Sequence, residues 1–445
     1  MKPPGSDETA PESAGITSRA TRLSTPPQPR AALSVADPPR TLWAAPDQAT
    51  VVGSGAARTL EAAGTDRFGS VRATAERLFS VGDVHAGALE ARPRLFGGFS
   101  FHDDHAEEGA WAGYPSAKFV LPRTQITYVD GEAWLTVNAV GADASAVETR
   151  LERTRERVQS LPDPSAINTP PGVVSRTRTA SKAQWRRGVT AATDRIAAGE
   201  LDKVVLAQAL RTALAERVSI PDVLARLGET YPDCYRFLFE PADGSAGFFG
   251  ATPERLVDLR GRTVETGALA GTTGRGETPE EDEWLAAELL ADDKNSHEHD
   301  LVVGAVREQL EPHAASVRAG ARRIRRLATV QHIETPITAE LATDEHVLTL
   351  VEALHPTPAV GGLPPDSALE TIRDTEPFDR GWYAAPVGWF DAAGYGSFAV
   401  ALRSAIARGD VATLFAGVGI VADSDPDREW DEVQLKYRPI LDELE

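Results

Sequence analysis

Lys203 heads "KVVLAQAL", an apolar run that reads as a buried strand, in a chain with lysine only at Lys2, Lys118, Lys182, Lys203, Lys294 and Lys436. An ammonium placed there needs a partner or must give up its proton, because a lone buried charge is costly. Either the strand end is open to water or the amine has a chemical task. Carboxylates raise the same question. "KNSHEHDLVVGAVREQL" reads as a helix on which Glu298 shares a face with the apolar Leu301, Val302 and Ala305. A plain glutamate at the core margin is one reading; a carboxylate waiting for a cation, a proton or several donors is the other. The "HEHD" stretch does not suggest zinc, since His297 and His299 are two residues apart on a helix and the HExxH spacing is absent. Near the C-terminus, "SDPDREWDEVQLK" reads as a helix start with Asp425 as N-cap and Pro426 at the first position. Glu429, Glu432 and Lys436 then stack along one face. A solvated Glu432–Lys436 pair would be worth only ~0.2–0.5 kcal/mol. Glu298 and Glu432 together would offer hard oxygen ligands from two helices, which suits Mg²⁺ completed by waters and substrate oxygens.

In "SFAVALRSAI" strict alternation puts Phe398, Val400, Leu402 and Ile406 on one face, and Ala399, Ala401, Arg403 and Ala405 on the other. Arg403 thus stands among small residues, with room for a flat anion, and its planar fork suits a carboxylate. "FAGVGIV" brings Gly417 and Gly419, which either soften a bend or let a ligand approach the backbone. "GTTGRGE" lacks the GK[ST] of a phosphate loop, no GxGxxG follows a strand, and no usable Ser/His/Asp pattern occurs.

The elements that must position these groups can be read in outline. At 445 residues and 42% hydrophobic, the chain can bury a large core. A formal net charge of −20 argues against nucleic acid and anionic membranes as partners, and leaves a small anionic substrate only if a local basic pocket or a divalent cation overcomes the field. The one cysteine, Cys234, excludes a disulfide framework and fits a reducing cytosol. Neither a membrane-length apolar run nor a signal-peptide core is legible, so a cytoplasmic location is expected. Acid excess with few lysines matches a surface adapted to concentrated salt; a genome-wide acidic bias is the alternative.

Residues 1–40 are rich in Pro, Ser, Thr and Ala without periodicity and read as a disordered tail. Residues 41–165 form a β-rich lobe of runs such as "LFGGFSF", "KFVLPRTQITYVD" and "EAWLTVNAV", closed by a helix over 144–161 and the linker "PDPSAINTPPGVVS". Residues 175–445 form the catalytic region. A helix over 181–199 ends on Gly199 and delivers the chain into the Lys203 strand. Hairpins turn at Gly261 and Gly409, and helices cover "PEEDEWLAAELLADD" and the Glu298 segment. Hairpins mixed with helices, without a βαβ rhythm, predict an α+β fold.

The segments "LDKVVLAQAL", "FGATPERLV", "TGALAGT", "KNSHEHDLV", "LHPTPAVGGLP", "EPFDRGWYAAPVGW", "ALRSA" and "FAGVGIVADSDPDREWDEVQLK" resemble, as an ordered set, the chorismate-binding enzymes of menaquinone, siderophore and tryptophan biosynthesis. Within them the isochorismate synthases are the most similar. The resemblance spans residue 185 to the C-terminus. It implies large antiparallel sheets packed face to face with helices outside, and a reaction in which water adds at C2 of chorismate while the C4 hydroxyl leaves. Lys203 matches the family's water-activating lysine; burial favours a neutral amine that can accept a proton. Glu254, in "PERL", matches the general acid, which desolvation keeps protonated to higher pH. Glu298 and Glu432 match the Mg²⁺ ligands, with Glu429 nearby. Arg403, Lys436, Gly417 and Gly419 resemble the sites that hold the substrate carboxylates, while Gly271, Thr272, His332, Thr335 and Ala359 are expected to line the pocket.

Departures separate the relatives. Ala270 stands where aminodeoxychorismate synthases carry a lysine. "EHDLVVGAV" replaces the "DLxRND"-like segment of anthranilate synthases, and no glutamine amidotransferase partner is expected. Salicylate synthases, which expel pyruvate from isochorismate, are the alternative. Ala359 and "EPFDRGWYAAPVGW" side with release of isochorismate, and "WYAAPVGW" leans to menaquinone over a siderophore. A non-catalytic homologue would have lost Lys203 or Glu254. A monomer suits a site built within one chain.

Overall fold

In a computed structural model, the described residues are 15–162 and 166–445, the side chain of Lys294 excepted. Among them twenty-one strands join into one hydrogen-bonded network. Its pairings are antiparallel except that between Ile16–Arg22 and Gly82–His85, and helices are interspersed between the strands. The α+β class therefore holds. The strands of the longest ladders are buried at successive positions and so are covered on both faces, as over 117–122 and 203–210. Ala117–Val129 pairs with Thr50–Ala62 along its whole length, and the register slips between Ala56 and Arg58, where Pro122 faces Ala56. Proline has no N–H to give a ladder, so within an inner strand it sits at such an irregularity.

The expected tail is corrected in part. Residues 1–14 lie outside the described residues, but Ile16–Arg22 is a strand paired with Glu132–Val140, and Pro29–Ser34 is a helix that buries Ala32 and Leu33. "ITSRATR" escapes a hydrophobicity reading because polar side chains hold it. Ser18 Oγ donates to Asn138 at 2.7 Å, and Arg19 bridges Asp83 and Glu148. The end of the expected linker is also ordered: Val173–Arg178 pairs with the Lys203 strand. Residues 163–165 lie outside the described residues.

Hydrogen-bonded ladders cross the expected lobe boundary. Arg40–Ala44 pairs with Tyr235–Phe239, and Arg94–Phe99 with Pro386–Asp391. The core is shared accordingly. Trp111 stacks on Phe415 at 5.2 Å, and Phe119 packs against Phe390 at 5.1 Å. This continuity fixes the site, because the strands that carry its residues cannot slide without breaking ladders on both sides.

Local signals position the chemistry. Ser181 caps the helix Lys182–Ala197 through a reciprocal capping box with Gln184. Gly199 then takes a left-handed turn into the strand Lys203–Leu214. That strand pairs with Val411–Ile420, placing Gly419 opposite Val205 and Gly417 opposite Ala207. The hairpin expected at Gly409 is present. The uninterrupted alternation expected through "SFAVALRSAI" is not: the strand Gly396–Val400 ends, Leu402 N–H turns back to Val400 O, and Arg403 has a φ of 47° before Ser404–Arg408 begins. A non-glycine residue held in the left-handed region marks a corner fixed by its surroundings. No helix among the described residues is long and apolar enough to cross a membrane.

Candidate active site

Lys203 is 1% exposed, and its ammonium lies 2.7 Å from Glu298 Oε1. The partner that burial demands is thus the carboxylate singled out on the helix Asp293–Leu310. Two glycines make room for them. A Cβ on Gly419 would fall 2.9 Å from Glu298 Oε1 and 3.0 Å from Lys203 Cε. Gly362 has a φ of 142°, and a Cβ there would meet the Lys203 carbonyl oxygen at 2.2 Å. Only glycine therefore lets "AVGGLP" lie against the start of the lysine strand, where Gly362 pairs with Val204.

Glu254 faces the same space from another corner. It follows the strand Gly247–Thr252, which pairs with Ser404–Arg408, and precedes Arg255–Arg260, which pairs with Gly396–Val400. The chain changes partner at Glu254 just as the opposite chain kinks at Arg403. Thr252 Oγ1 donates to Val400 O, Ala251 N–H donates to Arg403 O, and Val400 N–H donates to Glu254 O. Burial pushes the Glu254 carboxyl up to about 7, although Lys203, Lys436, Arg325 and Arg403 oppose the shift. Desolvation wins because the acid makes no ion pair of its own among the described residues. At neutral pH a substantial fraction is therefore protonated and able to donate.

Arg403 is 9% exposed and lines the cavity, and among the described residues no carboxylate is within ion-pair distance of it. Its guanidinium is available to an anion from outside. Lys436 donates to Gly417 O at 3.0 Å and pairs with Glu432 at 2.8 Å, which sets a second cation beside the glycine strand. Burial drives His332 well below its ordinary value, so its ring is neutral at neutral pH. Its Nδ1 lies 3.0 Å from Thr272 Oγ1, while Nε2 has no hydrogen-bond partner among the described residues. A buried polar atom left in this state on a cavity wall is suited to a ligand.

These groups line one cavity of about 120 Å³, together with Glu429, Glu432, Gly271, Thr272 and Ala359. Thr335 does not line it. Three residues from His332 on a strand, it points to the opposite face and meets His299 Nε2 at 2.7 Å, tying the Glu298 helix to the sheet. Sequence reasoning missed Tyr383, whose buried ring stacks on Phe415 at 5.4 Å, and Asn295, both on the wall. "EPFDRGWYAAPVGW" held the signal for Tyr383 and for the buried pair Arg380–Glu376, 2.5 Å apart. Arg380 also donates to Val205 O, and Glu376 accepts from Ala207 N–H. That pair braces the lysine strand, and Arg380 itself reaches the cavity wall.

Glu298 from one helix, and Glu429 and Glu432 from the helix Pro426–Leu441, present only carboxylate oxygens to the cavity. Among the described residues they form no ready-made group of three ligands, because Glu298 and Glu432 are each drawn to a neighbouring ammonium. Such a donor set fits a hard dication that takes one or two carboxylates and completes its shell with water and substrate oxygens, and does not fit zinc.

A lysine paired with a carboxylate, a carboxyl kept protonated by burial, an arginine without a carboxylate partner among the described residues, a second cation beside the glycine strand and a hard-oxygen donor set, all lining one cavity, define an enzyme site for a small anionic substrate. Residues 11–445 match the model of the family described as chorismate binding enzyme, and the chain belongs to that family. It is 37% identical to the isochorismate synthase MenF of Bacillus subtilis, over 79% of this chain and 74% of the relative. It is 38% identical to the salicylate biosynthesis isochorismate synthase of Pseudomonas aeruginosa, over 88% and 82%. Among solved structures, MenF, the menaquinone-specific isochorismate synthase from Escherichia coli, superposes with a TM-score of 0.82 at 27% identity, covering 99% of this chain and 97% of that one.

Proposed function

We propose that the protein is an isochorismate synthase that converts chorismate to isochorismate by adding water at C2 and releasing the C4 hydroxyl, with menaquinone precursors as the product's destination. The observation that carries this reading is that Lys203 and Glu254 line one cavity from different parts of the sheet, with the acid raised to about 7. In this reading Lys203 acts as the neutral amine and takes a proton from the incoming water, and Glu254 acts as the neutral acid and gives one to the departing hydroxyl; the ring double bonds shift between the two carbons. Arg403, Lys436 and the peptide groups around Gly417 and Gly419 hold the substrate carboxylates, and neutral His332 with Thr272 contacts the ring face. Glu298, Glu429 and Glu432 would hold Mg²⁺, which supplies positive charge for a substrate carboxylate in a protein of net charge −20. The catalytic region is 175–445, one chain completes the cavity and acts as a monomer, and the lone buried thiol of Cys234 suits a reducing cytoplasm.

The test is purified protein with chorismate and Mg²⁺, its products separated by chromatography. Isochorismate in equilibrium with chorismate supports the proposal, and anthranilate or no conversion contradicts it. The Pseudomonas aeruginosa relative favours one second reading, supply of isochorismate to a siderophore route. Complementation of a strain lacking its menaquinone-specific enzyme distinguishes the two.

A further inference from the structure

On the N-terminal side of the fold, far in sequence from the catalytic residues, four arginines converge on a cleft of about 260 Å³: Arg123, Arg150, Arg153 and Arg157. Arg19, Arg155 and Arg186 elsewhere in this chain are ion-paired, whereas none of these four has a carboxylate within ion-pair distance among the described residues. Three of them follow from helix spacing. On Ala144–Gln159, whose inner face is Val147, Leu151, Thr154 and Val158, positions 150, 153 and 157 fall on one outer face. Two carboxylates of that helix are engaged elsewhere, Glu148 with Arg19 and Glu152 with Arg155. Arg123 comes from the facing strand, where the slip in the ladder lets its Nη2 donate to Ala56 O at 3.2 Å. Asp37 is the one carboxylate on the cleft wall, and Ser54, Thr124 and Thr154 add hydroxyls.

The cleft shares Ser54, Thr124 and Arg157 with an adjoining cavity of about 90 Å³ that is otherwise lined by Ala32, Val35, Ala36, Val52, Ile126, Val158 and Leu161. A positively charged mouth thus opens onto a small apolar chamber. Guanidinium groups placed without partners repel one another, and a solvated surface of net charge −20 would neutralise them with nearby carboxylates. An anion that several forks can grip, carrying an apolar group about the size of a short alkyl chain or one ring, satisfies both halves.

We propose that this arginine cleft and its apolar chamber form a second ligand site, separate from the catalytic cavity, for a small amphiphilic anion with a phosphate or polycarboxylate head. The proposal does not depend on the assignment of the reaction. The site is read by calorimetric titration of the full chain at low salt with inorganic phosphate, hexyl phosphate and phenyl phosphate. Hexyl and phenyl phosphate bind at one site per chain, about tenfold tighter than inorganic phosphate because the chamber takes up a few carbons, and the affinity weakens as KCl is added. Arg150→Gln/Arg153→Gln/Arg157→Gln loses binding of all three by tenfold or more while retaining chorismate turnover and the wild-type melting temperature. These side chains are exposed, so the fold does not depend on them. Val35→Asn, at an exposed position on the chamber wall, separates the chamber from the mouth: it removes the advantage of the organic phosphates and keeps the weak phosphate binding. Equal affinity for the three probes would reduce the cleft to a counterion cluster and overturn the proposal. So would undiminished binding by the triple variant, or binding of an acidic peptide with none of the phosphates.

Discussion

Replacing Glu254 by glutamine should sharply reduce turnover and, at alkaline pH, make the protein more stable. Burial raises this carboxyl from an ordinary 4.5 to about 7. Between those values the folded chain keeps a proton that the unfolded chain has released, so stability falls as pH rises from about 4.5 to about 7 and is level outside that window with respect to this group. Each pH unit across the window is worth about 1.4 kcal/mol, so the ionised acid costs the fold about 3 kcal/mol above neutrality. Glutamine is close in shape, carries no charge and escapes that cost. At about 2.1 cal/mol/K of unfolding entropy per residue, a chain of 445 residues gains about 3 °C in melting temperature at pH about 8, and the gain vanishes towards pH about 4.5. Paired thermal scans of wild type and Glu254→Gln across this range give the difference directly. Turnover assayed on the same samples should fall by ~10²–10⁴, the usual contribution of a positioned acid. In the wild type the rate should decline above pH about 7 as Glu254 ionises. A melting difference that is absent or independent of pH, or a variant with near-normal turnover, would refute the reasoning.

Other outcomes follow from the same geometry. Lys203→Ala should lose turnover by ~10²–10⁴ with little change in chorismate affinity, measured by equilibrium titration; normal turnover would remove the base from the mechanism. Glu432→Gln should remove Mg²⁺-dependent activity while leaving circular dichroism unchanged, Glu298→Gln should remove it and also lower stability because it leaves buried Lys203 without its carboxylate, and a chelator should silence the wild type. Arg380→Met leaves Glu376 buried beside the lysine strand without its partner, and should destabilise the protein by about 3–5 kcal/mol in denaturant titration. Self-repulsion within a chain of net charge −20 should make the melting temperature rise with KCl; a flat or falling trend would leave the acidic composition without a role in salt tolerance.

The chemistry was more legible in the sequence than the architecture that carries it. Lys203 and Glu298 could each be singled out because a charge within an apolar pattern must be answered by another group, and the structure pairs them at 2.7 Å. The Asp425 cap and the Glu429, Glu432 and Lys436 stack follow from helix geometry, which acts over a few residues. Arg403 was found for a reason that holds only in part. It does line the cavity, but through a left-handed kink and beside Leu402, which alternation had put on the opposite face, and not among Ala399, Ala401 and Ala405. The strand Ile16–Arg22 was missed because its ladder partner lies more than a hundred residues away and its side chains are polar. Thr335 was misplaced onto the pocket wall, since a motif shows proximity in sequence but not which side of a strand a residue takes. Tyr383 stood within a recognised segment, and only the fold shows that its ring meets Phe415.

The central claim is that water attacks at one carbon, on the side of Lys203, while a hydroxyl leaves from another, on the side of Glu254. Turnover of chorismate in water enriched in heavy oxygen tests it directly. The account predicts that isochorismate carries one heavy oxygen at C2, that chorismate recovered at equilibrium becomes labelled at C4 through the reverse reaction, and that pyruvate does not accumulate. Unlabelled isochorismate would mean that the hydroxyl migrates within the substrate, leaving Lys203 and Glu254 without the roles assigned to them, and one pyruvate released per chorismate would move the protein to the salicylate synthases.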